Sequence, residues 1–237
     1  MNAPLYPLFA LSRHRLGSDG AGVTTLAAAR GCPLRCKYCL NPQALREETP
    51  VRLVAPAQLY AMTRVDGLYF QATGGGVTFG GGEPLLYAPF IAAFREQCGP
   101  AWRLRAETSL NVPEELARTA LSALDEVIVD IKDSDPAVYR AYTGGDNARA
   151  LSNLRLALAM LGAERVLARV PSIPGFNTEE DVENTVAVLR GMGVRRLNVF
   201  TYRLPDGGKA SAPVLNTPRR VRRGKGIWER IHLQKGG

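Results

Sequence analysis

Short apolar runs alternate with amphipathic segments along most of the 237-residue chain. The run at 127–131 is β-branched and apolar, and Val23–Ala29 combines small and apolar residues, as is typical of strands inside a parallel sheet. The segment at 103–107 instead alternates polar and apolar residues, as a strand can. In all, the sequence predicts six strands, at 23–29, 77–79, 103–107, 127–131, 165–170 and 196–200.

The segments between these strands have the pattern of helices. Four leucines between positions 151 and 161 recur with the period of an α-helix, and Asn147 stands where a capping residue is expected. Thr178 precedes three acidic residues that suit the first turn of a second helix, which we expect to end at Gly191. Further helices are predicted at 57–65, 89–97 and 113–124.

Regular alternation of strand and helix predicts an α/β fold, in which parallel strands are joined by right-handed crossovers. The pattern alone does not separate an open doubly wound sheet from a partial barrel. In either fold, chemistry gathers at the carboxyl ends of the strands. Polar motifs stand at those ends here: a cysteine-rich loop after residue 29, then Gly82-Glu83, Glu107-Thr108, Asp130 with Lys132, and Arg169.

The cysteine-rich loop is the most specific motif in the chain. Cys32, Cys36 and Cys39 lie within eight residues, and three thiolates on one short loop can hold three irons of a [4Fe–4S] cluster. The fourth iron then lacks a protein ligand and can bind a small molecule. Cys98, about sixty residues away at an expected helix end, is predicted to be a buried apolar filler.

The residues alone also allow three alternatives to a cluster at these cysteines. A zinc site would need a fourth ligand, and the only histidines in the sequence are His14 and His232. A disulfide framework is disfavoured, because the cysteines are few and close in sequence. The cysteines could also be unrelated buried residues.

Charge and composition limit the function classes. The chain carries a net charge of +8, but the charge is unevenly distributed. The segment from Arg203 to Gly237 contains nine Lys/Arg and two Asp/Glu, whereas the rest of the chain contains 21 Lys/Arg and 20 Asp/Glu. The body of the chain therefore does not favour nucleic-acid binding.

The apolar start has no basic residues and contains two prolines, and no apolar run is long enough to span a membrane, so we expect a cytoplasmic protein. We divide it into a lead-in (1–17), a core (18–204) and a basic, partly disordered tail (205–237).

Several motifs together resemble the glycyl-radical-enzyme activating enzymes, the pyruvate formate-lyase activating enzyme family of radical S-adenosylmethionine (SAM) proteins. The cysteine loop through Asn41 is similar to that family's cluster loop. The resemblance extends to four further segments, which are Asp-Gly-Ala-Gly at 19–22, Val-Thr-Phe-Gly-Gly-Gly-Glu-Pro at 77–84, Asp-Ile-Lys at 130–132 and Arg-Val-Pro-Ser-Ile-Pro-Gly at 169–175.

The resemblance implies a partial (βα)6 TIM-like barrel of the radical SAM type that holds a [4Fe–4S] cluster and SAM. It implies that the Gly81-Gly82-Glu83 segment receives the SAM amino group. It also implies that Lys132 and Arg169 bind SAM through a carboxylate or the ribose. The remaining implied cofactor contacts are Asn41, which positions SAM or the cluster loop, and Glu107 and Asp130, which hold Lys132, a sugar hydroxyl or a monovalent cation.

By the same resemblance, the enzyme cleaves SAM reductively and removes a hydrogen atom from a glycine Cα of a partner glycyl radical enzyme. A flavodoxin or a ferredoxin-type protein is the expected electron donor. Two alternatives stay open: a radical SAM enzyme that acts on a small molecule or peptide, and a non-enzymatic iron–sulfur or zinc-binding module.

Overall fold

A computed structural model describes residues 3–202. The basic tail expected at 205–237 lies outside these residues. Within them the chain forms one sheet of eight strands in the order β3-β1-β2-β4-β5-β6-β7-β8. The strands are β1 Tyr6–Leu16, β2 Val23–Ala29, β3 Arg52–Val54, β4 Gly76–Gly81, β5 Arg103–Thr108, β6 Glu126–Asp130, β7 Val166–Ser172 and β8 Arg196–Thr201.

Helices follow the strands as the βα pattern predicts. They are α1 Pro56–Thr63, α2 Gly67–Thr73, α3 Ala88–Cys98, α4 Glu114–Ala123, α5 Pro136–Thr143, α6 Ala148–Leu161 and α7 Glu179–Gly191, with 3-10 turns at Pro42–Leu45, Arg64–Asp66, Pro84–Tyr87 and Ala163–Arg165. None of the helices in the described part of the chain is long and apolar enough to cross a membrane.

The six predicted strands are confirmed, and all six run parallel from β2 through β8. The described sheet is not closed, because its two end strands, β3 and β8, do not pair with each other. The partial barrel expected from the resemblance is therefore confirmed. The sequence did not predict β1 and β3, which pair antiparallel at the β2 side and bring part of the expected lead-in into the sheet.

Alternation along the strands separates an apolar layer from a polar one. On β5, Leu104 and Ala106 are fully buried in the hydrophobic core. Arg105 and Glu107 point to the opposite face, as the two-residue period of a strand requires, and Arg105 pairs there with Glu126 at 2.5 Å. The concave interior of the sheet is thus lined by charged side chains, and the helices cover its apolar outer face.

The helix caps agree with the sequence in one case and differ in another. Thr178 and Asp181 form the reciprocal capping box expected at the start of α7. At α6, the Asn147 side chain is not the cap. Its amide donates to the carbonyl oxygen of Ser134 at 2.8 Å, and the carboxylate of Asp146 accepts from Ala148 N–H at 2.7 Å instead.

Candidate active site

The polar motifs meet in one cavity at the carboxyl ends of the parallel strands. Its empty space, including the part open to solvent, is about 730 Å³. All eleven residues singled out from the sequence line it: Cys32, Cys36, Cys39, Asn41, Gly81, Gly82, Glu83, Glu107, Asp130, Lys132 and Arg169.

The cysteine loop leaves β2 and is tied to the end of α5. Arg35 N–H donates to the carbonyl oxygen of Thr143 at 2.8 Å, and Lys37 N–H donates to that of Tyr142 at 3.1 Å. Arg35 also closes the loop on itself, because its guanidinium donates to the carbonyl oxygen of Cys32 at 2.6 Å. The three thiols of the loop are free and partly buried. Cys98 is free at the end of α3, packs partly buried against the core, and is not among the cavity-lining residues.

Burial raises the pKa of two of these thiols, those of Cys32 and Cys36. Desolvation raises the pKa of Cys32 to about 12, with a smaller contribution from the Glu83 carboxylate. Desolvation also raises the pKa of Cys36, although Lys132 opposes the shift. Metal binding here therefore displaces protons. Within residues 3–202 no three His, Cys, Asp or Glu side chains surround a point that a single metal ion could occupy, whereas a [4Fe–4S] cluster takes one thiolate per iron.

The Gly-Gly-Glu segment after β4 is bonded along its backbone to the start of the cysteine loop. Gly82 N–H donates to the carbonyl oxygen of Ala29, and Glu83 N–H donates to that of Gly31, both at 2.8 Å. A Cβ on Gly82 would lie 2.1 Å from the Gly31 oxygen, so only glycine permits this approach. The cysteine loop and the Gly-Gly-Glu segment thus form one continuous wall of the cavity.

The Glu83 carboxylate is buried beneath this wall, where its side chain accepts four hydrogen bonds. The donors are Leu85 N–H, the Thr108 hydroxyl, and both the N–H and the hydroxyl of Ser109, at 2.6–3.2 Å. Desolvation raises the pKa of Glu83, and the hydrogen bonds from Ser109 and Thr108 offset part of the shift. The carboxylate therefore joins the end of β4 to the end of β5.

The buried Lys132 forms an ion pair with the partly exposed Asp130 at the end of β6. The Lys132 ammonium donates to Asp130 Oδ2 at 3.0 Å and to the Tyr202 hydroxyl oxygen at 3.3 Å. Burial alone would lower the pKa of Lys132, but Asp130, followed by Tyr202 and Cys36, raises it well above its usual value. The ammonium therefore stays charged. Asp130 Oδ1 is buried and has no hydrogen-bond partner within the described residues.

The side chain of Arg169 on β7 contacts residues on β5 and before β2. Its guanidinium contacts Glu107 Oε1 at 3.0 Å and donates to the carbonyl oxygen of Ser18 at 2.7 Å. Desolvation raises the pKa of Glu107, and Arg169 opposes that shift. The two opposite charges compensate each other inside the cavity.

The cavity is also lined by residues that the sequence did not single out as site residues. His14, which had no predicted role, does not line it. Thr108 belongs to the polar strand-end motif Glu107-Thr108 but was given no role, and Ser109 follows it directly, so the same reasoning could have included Ser109. The His14 ring instead contacts the buried carboxylate of Asp66 at 2.9 Å. The cavity-lining residues that were given no role from the sequence are Leu34, Leu40, Thr108, Ser109 and Tyr202.

Comparison with known proteins now assigns the family. The pattern of the radical SAM superfamily matches residues 27–189, well over half of the chain. The chain therefore belongs to the radical SAM superfamily, whose cofactors are a [4Fe–4S] cluster and SAM.

Two curated relatives have names that are more specific than the superfamily. The pyruvate formate-lyase-activating enzyme of Staphylococcus aureus is 31% identical over 69% of this chain and 67% of its own length. The isethionate sulfite-lyase activating enzyme of Desulfovibrio desulfuricans is 28% identical over 71% of this chain and 74% of its own length. These relatives confirm the activating-enzyme resemblance that the motifs carried.

A solved structure supports the fold alone. Streptococcus suis SuiB bound to S-adenosylmethionine superposes with a TM-score of 0.58, at 15% identity and over 79% of this chain. The match spans 42% of the SuiB chain, so the described fold corresponds to a part of that larger protein.

Proposed function

We propose that this protein is a radical SAM activating enzyme that removes a hydrogen atom from a glycine Cα of a partner glycyl radical enzyme. The observation that carries the proposal is the convergence of all eleven motif residues on one cavity at the strand ends. The family match supports the SAM chemistry, and the curated relatives, which are named for the lyases that they activate, support a protein substrate.

The residues present fit the two cofactors. The cavity offers three free thiols on one loop, which is the donor set of a cluster with one open iron. Beside it, Gly81 and Gly82 line the cavity with backbone alone, and the unpartnered Asp130 Oδ1 is an acceptor without a donor. A ligand with hydroxyl or amine groups would supply what that oxygen lacks.

Each wall has a separate proposed task. Cys32, Cys36 and Cys39 would hold the cluster, and the backbone of the Gly81-Gly82-Glu83 segment would receive the amino group of SAM. Lys132 and Arg169 would bind its carboxylate or ribose, since both are charged and already oriented by carboxylates. Asn41 would position SAM or the cluster loop, and Glu107 and Asp130 would accept from a sugar hydroxyl or bind a monovalent cation.

When bound and reduced by one electron, the cluster and SAM supply a carbon radical that can remove hydrogen. The chain's own part is to fix the cofactor and to shield it from water. Asp130 and Glu107 keep Lys132 and Arg169 in place through hydrogen-bonded ion pairs, so the two cations present fixed donors toward the cavity.

We further propose that the electron comes from a flavodoxin or a ferredoxin-type donor and that the protein works in the reducing cytoplasm. Four free cysteines, three of them on one loop, support a reducing compartment.

The test uses the full chain, reconstituted with iron and sulfide and reduced under anaerobic conditions. We expect 5′-deoxyadenosine and methionine to form from SAM. We also expect a glycyl radical signal in a lyase that an anaerobic pull-down recovers with this protein. A loaded cluster that forms no 5′-deoxyadenosine would contradict the chemistry. Cleavage of SAM with modification of a peptide or small molecule, and no radical on any lyase, would favour the alternative substrate class.

A further inference from the structure

The hydrogen bonds of the buried Glu83 carboxylate leave it no free acceptor position. A carboxylate offers about four lone-pair positions. Oε1 accepts from Leu85 N–H at 3.2 Å and from the Thr108 hydroxyl at 2.6 Å. Oε2 accepts from the N–H and the hydroxyl of Ser109, at 2.8 and 2.6 Å. All four positions are therefore taken by groups of this chain.

The turn that supplies three of these donors is strained and strongly supported. Leu110, directly after Ser109, is a fully buried leucine at φ +55, a conformation that L-residues adopt at a cost of about 1–2 kcal/mol. Its N–H donates to the Thr108 hydroxyl at 2.8 Å. The Asn153 side chain stabilises the turn, because it donates hydrogen bonds to the carbonyl oxygens of Leu110 and Val112 at 2.9 and 2.8 Å. Such strain persists only where the surroundings over-determine it.

On its other side, Glu83 is tied to the cysteine loop by backbone. The bonds from Gly82 and Glu83 N–H to the carbonyl oxygens of Ala29 and Gly31 fix the spacing between the two segments. The Glu83 residue therefore connects the end of β5, through its side chain, with the loop that carries the three cysteines.

We propose that Glu83 is a positioning residue that acts through Ser109, and that its carboxylate does not itself receive the SAM ammonium group. Through Ser109 and Thr108 its side chain locks the Gly-Gly-Glu segment against the end of β5. Because the backbone of the same segment is bonded to the start of the cysteine loop, backbone groups then meet the methionine part of SAM at a fixed distance from the cluster. This inference rests on the proposed function and adds Ser109 to the residues on which the reaction depends.

The first arm of the test needs neither cluster nor SAM. Ser109→Ala and Glu83→Gln should each lower the melting temperature of the cluster-free protein, by about 3–10 °C, because each leaves buried donors or acceptors unpaired. The double variant should melt no lower than Glu83→Gln alone, because both changes remove the same contact. Ser122→Ala is the matched control, since its exposed hydroxyl bonds only within α4, to the Thr119 carbonyl oxygen.

The second arm measures SAM cleavage at saturating SAM and at a temperature where every variant is folded. Ser109→Ala should lower the rate about 10-fold, since small displacements of reacting groups are costly, and Ser109→Thr should restore it. The change that SAM causes in the electron paramagnetic resonance spectrum of the reduced cluster should weaken in Ser109→Ala and return in Ser109→Thr.

Two results would overturn the inference. One is an unchanged melting temperature in both single variants. The other is a parental cleavage rate in Ser109→Ala together with weak SAM binding in Glu83→Gln, which is the result expected if the carboxylate contacts SAM directly. A failure of the proposed function would instead abolish 5′-deoxyadenosine formation by the parent protein and leave the melting arm intact.

Discussion

Single residues in the cavity are held in place by partners on other strands. Arg169 on β7 reaches Glu107 on β5 and the carbonyl oxygen of Ser18, which precedes β2. Lys132 beyond β6 reaches Tyr202, which follows β8. Each cation is thus fixed from at least two directions, and each presents its charge at a defined place.

Replacing any one of Cys32, Cys36 and Cys39 by alanine should remove most of the cluster, because each thiolate is predicted to hold a separate iron. Iron and sulfide analysis after anaerobic reconstitution measures this, with about four of each per chain expected in the parent. Cys98→Ala is the control and should keep the cluster, since Cys98 packs against the core away from the cavity. Cluster loss in that control would contradict the three-ligand arrangement.

Lys132→Ala and Arg169→Ala should keep the cluster but weaken SAM binding about 10–100-fold, because each removes a charge-assisted donor worth about 1.5–3 kcal/mol. Equilibrium binding of SAM to the reconstituted protein measures the effect. Arg118→Ala is a suitable control, because Arg118 pairs with Glu114 on the exposed face of α4. Parental SAM affinity in both cavity variants would show that SAM binds elsewhere.

At the scale of elements, the loop after β6 is joined to α7 by a buried carboxylate. Asp133 accepts hydrogen bonds from Asp135 N–H at 2.9 Å and from the side chains of Asn177 and Thr185, both at 3.3 Å. Desolvation raises its pKa to about 6, and Asp181 adds to the shift. The carboxylate lies just beyond Lys132, so it supports the segment that carries this cation.

The folded protein therefore holds a proton on Asp133 more tightly than the unfolded chain does. The stabilisation is present below the unfolded-state pKa of about 4 and is lost as pH rises through about 6, by up to about 3 kcal/mol. Chemical denaturation of the parent and of Asp133→Asn, each from pH 4 to pH 7, measures this. The free energy of unfolding of the parent should fall relative to that of the variant over this window. Parallel curves would contradict the prediction.

Elements were predictable where local pattern decides them. The six parallel strands carry apolar or alternating runs, and α7 carries its own capping box, so each could be inferred from neighbouring residues. The strand β1 could not, because it contains Pro7 and ends in the polar run around His14. Its place depends on pairing with β2 and with the three residues of β3, and such partners are far apart in sequence.

The same distinction holds for the site. The carboxyl ends of parallel strands lie along one edge, so polar residues at those ends could be expected to meet. The bond between Glu83 and Ser109 could not, because 26 residues separate the two and no spacing rule connects them. The cap at α6 was assigned to Asn147 for a related reason. Its side chain instead donates a hydrogen bond to the carbonyl oxygen of Ser134, a residue that lies close to it only in the folded chain.

At the scale of the whole molecule, charge is divided between the body of the chain and its end. The segment from Arg203 onward carries nine Lys/Arg against two Asp/Glu, and it begins where the last strand of the sheet ends. An acidic partner would meet this positive charge at long range, which acts mainly on the rate of association.

Truncation after Pro218 should leave 5′-deoxyadenosine formation without a partner unchanged, and it should slow activation of the partner at low ionic strength. The reason is that the removed charges steer encounter and are screened by salt. Activation rates of the full and truncated proteins across a salt series measure this. Equal rates at low salt would mean that the segment has no part in partner capture.

The linear strand order of the sheet has a mechanical consequence. A closed barrel has its radius set by the number of its strands and by their stagger. In the arc from β3 to β8 no ring of hydrogen bonds fixes the gap between the two ends, so a small change of twist at each strand pair adds up to a wider or narrower opening. The span between these two end strands is thus an adjustable dimension of the described sheet, which can change without any strand pair having to break.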